Sequence, residues 1–99
     1  MKQFQKESEN TAPDNELAIA ILVWLSGNPD MLNRFCALSG VEVGQLRALT
    51  EDPGFERAMI GFIAGHEPTL MAFCNDNDIA PETVSRAWQK LEYGNGFEP

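Results

Sequence analysis

His66 is the single histidine of the 99-residue chain, so unassisted acid–base chemistry near neutral pH falls on this one position. It directly follows Gly65 at what reads as the junction of two helices, and a surface turn is its expected role. Cys36 and Cys74 each follow a phenylalanine, the pattern of small buried thiols in a core rather than of exposed nucleophiles. A reactive thiolate needs a cation nearby to lower its pKa, and in sequence only Arg34, two residues before Cys36, comes close. A zinc site built from His66, Cys36 and Cys74 would have to gather its ligands from separate elements, because no C-x-x-C or H-x-x-x-H spacing places two on one. The acidic stretch NDNDIAPE fails as a calcium loop: counted from Asp76, the positions that need glycine and glutamate hold Pro81 and Ala87. No glycine-rich phosphate loop and no G-x-S-x-G elbow occurs. No catalytic, cofactor-binding or metal-ligating residue is therefore assigned, no cofactor is expected, and the chain is not read as an enzyme.

Composition narrows the partners. Lys and Arg number 7 against 15 Asp and Glu, giving a formal charge of −8, which repels phosphate backbones and anionic lipid. The opening MKQFQKESENTAP lacks the apolar run of an export signal. The longest apolar run, Leu17 to Leu25, is far shorter than the roughly 20 residues of a membrane span. A cytoplasmic location with both cysteines as thiols is the expectation.

The elements that must carry these residues are helices. Residues 1–13 are polar and read as a flexible arm, 14–93 as one helical domain, and 94–99 as a flexible tail. Asp14 or Asn15 caps a first helix that is apolar on every side from Leu17 to Leu25 and ends at Gly27, a left-handed stop. Asn28-Pro29 caps and opens a second, PDMLNRFCALS, whose Met31, Leu32, Phe35 and Cys36 form an inward stripe closed by Gly40. A weaker third helix spans about Glu42 to Thr50, with Leu46 and Leu49 inward. Asp52-Pro53 opens a fourth with Phe55, Met59, Phe62 and Ile63 on one face, ending at Gly65. Glu67-Pro68 opens a fifth with Leu70, Phe73 and Cys74 inward. Pro81 opens a sixth, with Val84, Ala87, Trp88 and Leu91 inward and an end before Gly94. No alternating strand pattern appears, so the fold class is all-α, a bundle of about six short helices.

Sliding the chain on itself by 38 residues aligns 22–49 with 60–87: Gly27 meets Gly65, Leu32 meets Leu70, Phe35 meets Phe73, Cys36 meets Cys74, and Trp24 pairs with Phe62. The expectation is two pseudo-symmetric helix-turn-helix-like units closing on one another, with Cys36 and Cys74 in equivalent buried positions. Such units suggest a nucleic-acid reader as the alternative function. The candidate recognition segments argue against it. The first carries Glu42, Gln45, Arg47 and Glu51. The second has only Arg86 and Lys90 as cations beside Glu82.

The apolar helix ending in WLSGNPDMLNRF, the ALSGV before a short helix, the DPGF opening the fourth and the segment LMAFCNDNDIAPETVSRAW together resemble the alphaproteobacterial domain-of-unknown-function family 3572 (DUF3572), over roughly residues 15–91. Val43 stands where that family's pattern has a proline, which Pro81 keeps in the second half. The resemblance implies an all-helical bacterial domain with no assigned activity, cofactor or functional residue. What remains by elimination is a small acidic protein-protein interaction module. The expectations are an unknown protein partner, met near Trp24 or the flank Phe4 to Asp14, or a homodimer that completes the cover of the apolar helix.

Overall fold

The computed structural model describes residues 13–97, and every regular element among them is helical. In chain order these are α1 (Pro13–Ser26), α2 (Pro29–Ser39), a 3-10 turn (Val43–Gln45) running into the short α3 (Leu46–Leu49), α4 (Phe55–Ala64), α5 (Glu67–Asn77) and α6 (Pro81–Phe97). The six-helix all-α reading holds. Of the arm read over residues 1–13, only Pro13 lies within the described residues, and there it opens α1. The sixth helix does not end before Gly94 but runs through it to Phe97, four residues into the segment 94–99 read as a tail. A glycine weakens a helix interior by about 1 kcal/mol relative to alanine, which a turn continuous with an established helix can absorb.

α1 and α4 make the centre. Ile21 and Leu25 of α1 and Met59, Ile60 and Ile63 of α4 are each fully buried, and Phe35 of α2, Phe73 of α5 and Val84 of α6 close over them. Burying each such side chain contributes about 1.5–3 kcal/mol. α1, apolar all round in sequence, is covered on one side only: Ile19 is 45% exposed and Val23 66%. The α4–α6 contact is unusually close because residue 61 is glycine, where a Cβ would stand 2.9 Å from Cζ3 of Trp88.

Helix ends follow most of the proline and glycine signals, with local corrections: α1 starts at Pro13, ahead of the expected Asp14 or Asn15 cap, and α4 starts at Phe55, which leaves Asp52-Pro53 in the turn before it. Asn28 sits at the start of α2 without capping it; its Nδ2 donates back to the Trp24 carbonyl of α1 at 2.7 Å. Gly40 closes α2 as a left-handed stop at φ 81° and Gly65 ends α4 right-handed at φ −82°, while Gly27, the stop expected to be left-handed, is not among the positive-φ residues. The second left-handed stop is Asp78, at φ 56°. The third helix is shorter than the expected Glu42 to Thr50. Gly44 falls in its first turn, and a reciprocal cap between Glu42 and Gln45 winds Val43–Gln45 as 3-10.

The 38-residue shift carries the end of α1, Ser26, onto the end of α4, Ala64, and both ends of α2 onto both ends of α5. It also carries the left-handed Gly40 onto the left-handed Asp78. The entry hydrogen bonds correspond as well: Leu32 N–H donates to Asn28 O at 2.9 Å and Leu70 N–H to His66 O at 3.0 Å.

Candidate functional site

The chemically notable side chains do not converge. Cys36 and Cys74 are both free thiols, but their surroundings differ: Cys74 is buried, at 4% exposure, while Cys36 is half-buried. The expected equivalence in burial therefore fails. Burial first, and the negative charge of Glu82 second, push the Cys74 thiol above its ordinary pKa, which leaves it protonated and unreactive. His66 ends the α4–α5 junction with Nδ1 2.7 Å from the hydroxyl of fully buried Thr69, an anchoring contact for the turn. Among the described residues, no group of three or more His, Cys, Asp or Glu gathers in a metal-holding arrangement.

The helix-turn-helix geometry is thinly equipped. In the first half the segment after the turn is only the four-residue α3. In the second half it is α6, where Lys90 Nζ lies 3.5 Å from Asp14 Oδ1, so one of its two candidate cations already faces a carboxylate. Arg86 and Lys90 line a shallow cavity of about 240 Å³ against Asp14 and Leu17 of α1. Among the described residues, no helix is long and apolar enough to cross a membrane.

A larger cavity, about 290 Å³, opens between α2 and α4. Its α2 wall is Arg34, Phe35, Leu38 and Ser39, its α4 wall is Ala58, Gly61 and Phe62, and Gly65 with His66 closes the end. Phe35 and Phe62 meet edge to face at its base, with ring centres 5.3 Å apart and planes at 83°. Leu38 stands at the rim, 68% exposed. Arg34 and His66 are the only ionisable groups in the wall, so no carboxylate balances the guanidinium there. The Arg34 Nε is buried and donates to no acceptor among the described residues. A buried donor without a partner costs about 1–3 kcal/mol, more when charged.

Near Trp24, the expected contact surface, little of the ring is exposed. Trp24 is only 8% exposed, and its indole Nε1 donates to Asp76 Oδ2 at 2.8 Å, tying α1 to α5. Phe4 lies outside the described residues, and Asp14 is buried at 9%. The cleft residues Arg34, Leu38 and Gly61 were missed as a site in sequence. Arg34 offered a weak clue, as a cation beside the apolar stripe of α2, but only the approach of α4 makes it a wall.

Comparison with curated proteins and with solved structures gives no match. A family model described as a protein of unknown function (DUF3572) matches residues 11–94, the greater part of the chain and all of α2 through α5. The helices that build the cleft thus lie wholly inside the matched region, and the chain belongs to the DUF3572 family.

Proposed function

We propose that the chain is a non-catalytic protein-protein interaction module whose contact surface is the cleft between α2 and α4. The observation that carries this reading is the pairing of an apolar floor, Phe35 and Phe62, with Arg34 in a wall that holds no carboxylate, beneath an exposed Leu38. Apolar recesses with one or two convergent polar groups are where ligands and partner anchors seat. The absence of a carboxylate from the wall favours an anion in an otherwise acidic molecule. Two free thiols suit a reducing cytoplasm, where we place the protein.

A photo-crosslinking amino acid substituted for Leu38 tests the reading in cells. The expected outcome is capture of a distinct protein that Arg34→Glu abolishes. The comparison position is Val23, on the exposed flank of α1. Capture from position 23 but not from 38 would assign the interaction to α1 and overturn the cleft.

A further inference from the structure

Two aromatic pairs are exchanged by the 38-residue shift. Trp24 and Phe73 stand 5.5 Å apart at 76°, and their counterparts Phe62 and Phe35 stand 5.3 Å apart at 83°. Met31 and Thr69, which the shift converts into each other, meet at 3.9 Å. A rotation that swaps two halves brings self-related positions together only beside its axis, so this contact marks where such an axis runs. In each half an aromatic of one helix faces an aromatic of the other half's second helix.

The two places differ in what closes them. At the first, Trp24 Nε1 donates to Asp76 Oδ2 at 2.8 Å and bridges α1 to α5. At the second, Phe62 replaces Trp24 and has no donor, while Leu38 replaces Asp76 and has no acceptor. The cleft of about 290 Å³ lies at this second place, and Arg34, where the other half has Ala72, adds a cation to its wall.

We infer that the cleft is the open counterpart of the Trp24–Asp76 bridge and receives from a partner protein an aromatic side chain with a carboxylate beside it. The ring packs on Phe35 and Phe62 and the carboxylate meets Arg34. The volume lies at the lower edge of ligand sites, the size of one aromatic anchor. The 68% exposure of Leu38 at the rim favours a protein over a free small molecule, because only a larger partner continues the contact past the cleft. This inference rests on the interaction-module reading and names its occupant.

The test is an amide-resonance titration of the full chain with N-acetyl-glycyl-tryptophan, its carboxamide, and N-acetyl-glycyl-leucine. The free acid should move the resonances of Phe35, Leu38, Gly61 and Gly65. The carboxamide should bind about tenfold more weakly, as the loss of a charged hydrogen bond implies, and the leucine peptide more weakly still. Arg34→Gln should erase the difference between acid and carboxamide. The double variant Phe62→Trp with Leu38→Asp rebuilds the closed arrangement inside the cleft and should abolish binding while its circular dichroism and melting stay native. Equal binding of acid and carboxamide by the unaltered chain, or undiminished binding by a natively folded double variant, overturns the inference. Capture of a protein at position 38 alongside equal acid and carboxamide binding refutes the occupant and leaves the module standing. Acid-selective binding with no capture refutes the module instead.

Discussion

The Trp24–Asp76 hydrogen bond links residues 52 apart in the chain and ties α1, at the centre, to α5, at the edge. Asp76 is exposed, so water satisfies it when its partner goes, and Trp24→Phe should cost only about 1 kcal/mol beyond lost packing. In a chain of this size that is a melting drop of about 4–8 °C. A double-mutant cycle with Asp76→Ala checks it: the two losses should be markedly non-additive. Cys74 gives a second residue-scale expectation. Its thiol pKa is raised in the fold, so the native state holds the proton more tightly than the unfolded chain does. Its contribution to stability is complete below the ordinary thiol pKa and is lost as pH rises through that value toward the folded one. Denaturation midpoints should therefore fall as pH climbs above about 8.5, and Cys74→Ala should flatten that fall even though it lowers the midpoint itself. Iodoacetamide should modify half-buried Cys36 first and reach Cys74 only on unfolding.

Element boundaries were legible wherever the signal is local. Pro29, Pro68 and Pro81 sit in the first turns of α2, α5 and α6, and Gly40 closes α2, because a fixed φ, a missing N–H and a tolerated positive φ act within one turn. The left-handed residue at Asp78 was not legible, since aspartate enters that conformation far less often than glycine and no glycine stands at the end of α5. Asp78→Gly should accordingly stabilise the fold by about 0.5–1 kcal/mol, read as a higher denaturation midpoint with an unchanged slope. Gly61 runs the other way. Alanine would be the better helix former by about 1 kcal/mol, but its Cβ would stand 2.9 Å from the Trp88 ring. That ring lies under the Arg57 guanidinium at 5.5 Å, itself held by a 2.8 Å bond to Leu91 O, and has little freedom to retreat. Overpacking costs about 1–3 kcal/mol, so Gly61→Ala should lower stability by about 1 kcal/mol. The cleft is invisible in sequence for a related reason: neither α2 nor α4 contains it, and Arg34 becomes an unpartnered wall residue only when Phe62 and Gly61 are set opposite.

At the scale of the whole molecule the question is what the all-apolar α1 does with its outer side. Ile21 and Leu25 are fully buried against α4, whereas Ile19 and Val23 remain exposed, and the other large exposed apolar side chains of the described residues are scattered over other elements. A stable dimer buries about 800 Å² on each partner, some 20–30 residues a side. Two apolar side chains fall far short of that, and a second copy brings another −8 of charge. The flank therefore costs less left wet than a dimer would have to recover. Sedimentation should show a monomer at both low and high salt. Screening by salt would strengthen any pairing of two acidic copies, so a dimer that grows with ionic strength would show that α1 is completed by a second copy after all. The energetic contrast within α1 should agree. Leu25→Ala removes a fully buried side chain and should cost about 2–5 kcal/mol, while Val23→Lys, two residues earlier on the exposed side, should stay within about 0.5 kcal/mol of the parent. A large loss from Val23→Lys, measured at a concentration where the parent is monomeric, would mean that this side of α1 is covered within the chain itself.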